Sequence, residues 1–215
     1  TTMAPKTTPP PASPAAFTRV LVWDTPTRVC YGLLALCFAG AYGTAGLDGW
    51  EPMHATLGYT AVGLALFRIV WGFVGTRYAR FSESLQSPAA VAKYVAQMPY
   101  GWGKRYLGHS PVSAILAIVF LVLVLVLGVT GSMALGAPPS ASMAQWHGGV
   151  AAVALGLVGL HLAGVVFSSW RAGENLFLTM FHGTQLGHPS EAIDTPRRSV
   201  AVFIVAAVSG FWLFQ

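Results

Sequence analysis

The sequence predicts an all-α membrane protein: a four-helix transmembrane bundle followed by a fifth, C-terminal transmembrane helix. Three observations carry this. Charged side chains make up 9% of the 215 residues and hydrophobic ones 54%, whereas soluble domains carry about 25% charged residues. Four apolar runs are long enough, at ~1.5 Å per helical residue, to cross a hydrocarbon core of ~30 Å. The connections between them alternate, basic on one side and free of Lys and Arg on the other.

Residues 1–16, TTMAPKTTPPPASPAA, are rich in Pro, Thr and Ala and contain no apolar run. They read as a disordered leader, because such a composition cannot bury a core. A signal peptide is not expected there, since the first long apolar segment starts only near Val29. The stretch Phe17–Arg28 is expected at the membrane interface, with Trp23 at headgroup depth and Pro26 in the first turn of a helix. Spans are expected at Val29–Leu47, Met53–Val74, Pro111–Leu135 and Trp146–Trp170. Ser199–Phe214 is only marginally long enough to cross, so an interfacial helix is the alternative there. The chain then divides into a leader (1–16), a membrane domain (17–184), a cytoplasmic linker (185–198) and an additional hydrophobic helix (199–215).

Orientation follows from the cations. Asp48–Pro52 and Gly136–Gln145 contain no Lys or Arg, while Lys6, Arg19, Arg28, Arg77, Arg80, Lys93, Lys104, Arg105, Arg171, Arg197 and Arg198 share the other side. The positive-inside rule makes that side, and the amino terminus, cytoplasmic. The net charge of +5 therefore reflects orientation in membrane lipid and gives no support to nucleic-acid binding. Between the second and third spans, Ser87 and Pro88 suit the start of a short helix lying on the membrane surface. No carboxylate falls within a span, which argues against a proton-driven transporter. Cys30 and Cys37 share a helix face but sit ~10 Å apart, too far for a disulfide, and without a CxxCH motif covalent haem is excluded. Packing is their expected role.

The chemistry lies in the histidines. In Trp146–Trp170 the only titratable side chains are His147 and His161, ~21 Å apart along a helix and on nearly the same face. An ionisable residue inside a bilayer is a functional-site candidate by default. Between them lie Ala151, Ala154 and Val158, with Gly148 and Gly149 beside His147, a surface that a flat macrocycle could approach. His54 enters the second span at the same end as His147, on a helix running in the same direction, so the two imidazoles can face one another. Two neutral imidazoles on opposite faces of a macrocycle give a six-coordinate b-type haem suited to electron transfer. Below His54, a stripe of Gly58, Ala61, Ala65 and Arg68 mirrors the fourth span. Arg68, the only cation within a span, is expected near the depth of His161. There it would pair with a haem propionate, stabilise an anionic quinone species, or snorkel to the headgroups. His109, just before Pro111, is expected at the cytoplasmic surface, as a propionate contact, a proton acceptor in quinol oxidation or a solvated loop residue. His182 and His188 are expected to be exposed.

These residues resemble the bacterial cytochrome b561 proteins and the related b-type cytochrome subunits of membrane nickel–iron hydrogenases, over roughly Val20–Thr184. The resemblance rests on VWDTPTR before the first helix, MHATLGY opening the second, YLGHSP before the third, WHGG and LHLAG in the fourth, and ENLFLTM after it. It implies a bacterial inner-membrane protein whose four-helix core holds two b haems on ligands from the first, second and fourth helices. Electrons would pass between the quinone pool and a periplasmic partner such as a c-type cytochrome, a hydrogenase or another redox subunit. His54 and His147 would ligate the metal of the periplasmic-side haem, and His161 would be one ligand of the cytoplasmic-side haem.

The chain departs from the family where that second haem needs its other ligand. Family members typically carry a His followed by Trp shortly after the Arg of the first helix, whereas this chain reads Arg28, Val29, Cys30, Tyr31, Gly32. Tyr31 stands at the ligand position. Either the inner haem is absent, or His161 holds it with Tyr31, Cys30, a displaced His109 or no sixth ligand. Loss or altered ligation is therefore expected over an intact bis-His inner site. Two functional classes follow: an electron-transfer cytochrome, and a membrane anchor or interaction subunit of a larger redox or photosynthetic complex. The leader and the fifth hydrophobic segment fit the second; the retained His54, His147 and His161 fit the first. A cofactor-free transporter leaves the paired histidines unexplained.

Overall fold

A computed structural model describes residues 17–97, 100, 106–136 and 138–215; the leader, Lys104 and Arg105 lie outside them. The elements run β1 (Thr18–Leu21), α1 (Thr25–Thr44), α2 (Glu51–Val74), a 3-10 turn (Arg77–Ala79), α3 (Phe81–Ser84), α4 (Pro88–Gln97), α5 (Pro111–Leu135), α6 (Ala141–Ala172), α7 (Leu176–His182), β2 (Thr184–Gly187), a second 3-10 turn (Pro189–Glu191) and α8 (Arg198–Leu213). Among the described residues, α2, α5 and α6 are each long and apolar enough to cross a membrane. Helix α1 has 20 residues, about 30 Å of helix, but Arg28, its glycines and its terminal threonines make it less apolar. The architecture is an all-α membrane bundle with one small sheet at the end that carries most of the arginines, here termed the basic end.

Each helix begins where its sequence allows. Asp24 caps α1 through a bond from the Thr27 amide at 2.8 Å, with Pro26 in the first turn. Ser110 caps α5 by accepting from the Ser113 amide, again just before a proline, and Ser140 caps α6. A proline at the first helical position lacks the amide that would otherwise go unpaired, so cap and proline together define a start. Ser87 and Pro88 open α4 as expected. Helix α6 ends at Gly173, whose φ of 62° is the left-handed cap that glycine adopts without strain.

The core lies between α1 and α2. Cys30, Leu34 and Cys37 pack against Leu57, Ala61, Leu64 and Ala65, and Leu121 and Val124 of α5 and Ile204 of α8 close the cluster. Cys30 and Cys37 are free and buried. The small residues of α2 therefore serve close helix approach, the packing mode available in lipid. Helix α6 packs along α5 and stands off from α1 and α2, and almost none of its apolar window is buried within the chain. The wide apolar exposure of α2, α5 and α6 would be untenable in water and suits lipid.

Near the basic end the structure departs from the linear reading. β1 and β2 pair antiparallel, Thr18 opposite Gly187 and Leu21 opposite Thr184. Residues 185–198, expected as a linker, thus begin inside a strand and continue through the Pro189–Glu191 turn. Trp23, expected at headgroup depth, is 4% exposed and packed with Val20 and Val22, because β1 folds it inward. Helix α8 runs from a bond between the Thr25 amide and the Pro196 carbonyl to Trp212, whose indole donates to Thr60 at 2.9 Å. Its 16 residues cover about 24 Å, less than a full crossing.

Asp24 is 1% exposed and joins three segments. Beyond the Thr27 amide it accepts from Trp71 Nε1 at 3.0 Å and Thr76 Oγ1 at 2.6 Å. Asp24→Ala removes a cap and leaves two half-buried donors without their acceptor, so it should cost about 3 kcal/mol. That corresponds to a fall of roughly 6–12 °C in the thermal midpoint in detergent. Asp24→Asn keeps one acceptor and should lose less; equal midpoints for wild type and Asp24→Ala would refute the joint.

Candidate functional site

Two histidine levels lie about 20 Å apart along α6. At the end away from the arginines, the His54 and His147 rings face each other, their centroids 5.9 Å apart and their planes at 72°. The long helices put them there, and backbone carbonyls hold them. His54 Nδ1 bonds the Ala41 carbonyl at 2.8 Å, in the last turn of α1, where carbonyls lack intrahelical partners. His147 Nδ1 bonds the Leu127 carbonyl at 3.1 Å and lies 3.2 Å from Thr130 Oγ1. A carbonyl only accepts, so each neutral ring carries its proton on Nδ1 and keeps the Nε2 lone pair for a ligand.

This donor set fits a metal inside a macrocycle. Among the described residues no three His, Cys, Asp or Glu side chains converge as a metal-binding group, so a site formed by side chains alone has too few ligands. A tetrapyrrole supplies four nitrogens itself and needs one from the protein on each face. With metal–imidazole bonds of about 2 Å, two axial rings have centroids about 6 Å apart, matching the pair here. The carbonyl bonds fix tautomer and ring orientation, as is usual for metal-ligating histidines.

From the basic end to Tyr42 and Gly43 near the far end of α1, a cavity of about 1180 Å³ runs between α1, α5 and α6, above the ~300–1,000 Å³ of ordinary ligand pockets. Its wall includes Tyr31, His109, His161, Arg28 and Arg171, and no α2 residue. His161 Nδ1 is buried without a hydrogen-bond partner, the kind of unsatisfied group that calls for an explanation. His109, expected at the surface, is instead half-buried. Its ring meets the Trp23 edge at 4.8 Å and lies 6.0 Å from Tyr31. Burial pushes its imidazole down to about 3, with the positive charge of Arg68 and of His161 adding to the effect.

Arg68 is 2% exposed and does not snorkel. Its Nε donates to the Tyr31 hydroxyl at 3.0 Å and its Nη2 to the Ala79 carbonyl at 3.0 Å. The guanidinium lies 5.2 Å from the Tyr31 ring and 5.1 Å from the Phe81 ring, while Nη1 is buried without a partner. It is near enough to His109 to depress that ring's basicity. Tyr31 and Arg68 thus lie beside one another at the basic end. The stripe Ala61–Ala65–Arg68, which mirrors the fourth span in sequence, is turned into the α1 contact. His182 and His188 are exposed, as expected.

Sequence reasoning missed four residues that shape the site. Asp24 sat among scattered carboxylates, although Asp-Thr-Pro is a helix-start pattern that could have singled it out. Trp23 packs on His109. Gln185 is 2% exposed and accepts from the Gly108 amide at 2.8 Å, and Gly108 takes a φ of 74° that other residues adopt only with strain. Together they set the direction of the next residue, His109. No motif of this length announces such a seat.

A family model described as prokaryotic cytochrome b561 matches residues 22–183. No curated protein and no solved structure matches the chain. The matched segment contains His54, His109, His147, His161 and His182, while His188 lies beyond it. A Cβ on Gly131 would stand 3.0 Å from His147 Cε1 and 3.2 Å from Nδ1. Gly131→Ala should therefore push the ring by a few tenths of an ångström off the Leu127 carbonyl and lower cofactor occupancy at that level. Occupancy and spectrum equal to wild type would contradict the proposed seat.

Proposed function

Because the chain belongs to the prokaryotic cytochrome b561 family, a family of membrane b-type cytochromes, we propose that it carries electrons between the quinone pool and a redox partner across the bilayer, with His54 and His147 as the axial pair of one haem b. One observation carries the assignment: two rings 5.9 Å apart, each with Nδ1 on a backbone carbonyl and Nε2 left for a metal. Haem b supplies one-electron chemistry at its iron, and two axial histidines leave no open position, which favours electron transfer over oxygen chemistry. The Ala41 and Leu127 carbonyls hold the two rings at their angle, which would keep them in place while a bound haem changed charge. By the positive-inside rule the basic end faces the cytoplasm of a bacterial inner membrane and the His54–His147 level lies near the periplasmic face. A c-type cytochrome, a hydrogenase or another redox subunit would meet it there, and quinol is the lipid-soluble donor available within the bilayer. A subunit role in a larger redox complex is the second reading, favoured by Tyr31 at the position where a helix-one histidine is usual.

His54→Ala and His147→Ala should each remove one low-spin b haem, measured by pyridine haemochrome per chain and by a redox-titrated visible spectrum. An undiminished spectrum in His147→Ala sinks the axial pair. Reduced quinone analogues should reduce the purified cytochrome; failure to do so counts against the quinone pool as donor.

A further inference from the structure

The basic-end part of the cavity, whose wall carries a buried imidazole nitrogen with no hydrogen-bond partner among the described residues, is not explained by the His54–His147 pair. His161 reaches it from α6. On α1, two side chains near the usual ligand position could answer it, and neither is free to do so. Cys30 is fully buried in the α1–α2 core and directs its thiol to the Leu64 carbonyl at 3.3 Å; it is not on the cavity wall. Tyr31 is on the wall, but its hydroxyl is held by Arg68 of α2, a helix with no residue on that wall. The phenol oxygen is therefore already engaged.

His109 is differently placed. It lines the same cavity as His161. It is braced by the Trp23 edge, while the Gly108–Gln185 bond fixes the backbone before it. Two further wall residues suit the acidic edge of a macrocycle. Arg28 donates to the Met180 carbonyl at 2.8 Å and to the Phe181 carbonyl, which puts a cation at the basic end of the wall. Arg171 lies on the same wall. Carboxylates entering between them would meet charge-assisted donors.

We propose that this cavity takes a second haem b held by His161 of α6 and His109 of the loop before α5, so that the ligand usual on the first helix has moved to a loop. The inference rests on the family reading of the chain as a b-type cytochrome. Arg28 and Arg171 would meet its two propionates, and Tyr31, whose hydroxyl is held by Arg68, is not a ligand. The chain then carries a haem at each level.

The test uses the full chain, expressed under haem-replete conditions and purified in detergent, with haem per chain and ferric electron paramagnetic resonance as readouts. Wild type should hold two low-spin haems. His161→Ala should hold one. His109→Phe keeps a ring against Trp23 but offers no nitrogen; it should lose the second haem or convert it from low to high spin, with added imidazole restoring the low-spin signal. Tyr31→Phe should keep both low-spin signals. A second low-spin signal that survives His109→Phe, or is lost in Tyr31→Phe, overturns the ligand assignment. One haem per wild-type chain, removed by His147→Ala, overturns the second site and leaves the first intact. No haem in wild type fails the cytochrome reading itself.

Discussion

Asp24 is the constraint on which the basic end depends. A carboxylate this buried must be met by donors from every side, and its three come from the first turn of α1, the last turn of α2 and the turn beyond. Satisfying it fixes the start of one helix against the end of the next, and so the register of α1 along α2. The consequences reach both histidine levels. With that register, the Tyr31 hydroxyl meets Arg68 near one end of the pair, and the Ala41 carbonyl meets His54 near the other. Neither polar contact sits in the apolar seam, yet both are set by how the seam is aligned.

Charge inside the bundle is managed without ion pairs. Arg68 is surrounded by a phenol, a carbonyl and the faces of two aromatic rings, a combination that tolerates a guanidinium without neutralising it. Its field persists in the low-dielectric surroundings. The histidines at the other end are handled differently, each with Nδ1 on a backbone carbonyl. Only the basic-end level sits beside the Arg68 guanidinium. A redox group near Arg68 has its reduced form, which carries less positive charge, stabilised relative to the same group at the His54–His147 level.

Much of this was legible in the sequence. The third span was expected at Pro111–Leu135 and α5 has those bounds, because an unbroken apolar run between a serine–proline start and a glycine admits little else. The meeting of His54 and His147 was legible too, since two long helices confined to one bilayer have few relative depths. The path of the stripe below His54 was not. Periodicity shows that Ala61 and Ala65 share a face, but not which neighbour covers it, and α1 does rather than α6. The seat of His109 was hidden for another reason. It is assembled from Trp23, Gly108 and Gln185, residues in loops and a four-residue strand, where no repeat is long enough to read.

The pairing of β1 with β2 gives the fold an order in time. β1 is made first, and its partner follows only after α1 to α7 have been translated. At about 5–20 residues per second that interval is on the order of ten seconds or more. Until Gln185 emerges, nothing holds the Gly108 amide, and until Pro196 emerges nothing closes over the Thr25 amide. A nascent chain with its long helices already in the bilayer therefore has a basic end that is still open. The last strand to be made thus closes the sheet and, through Gln185, seats the loop that carries His109.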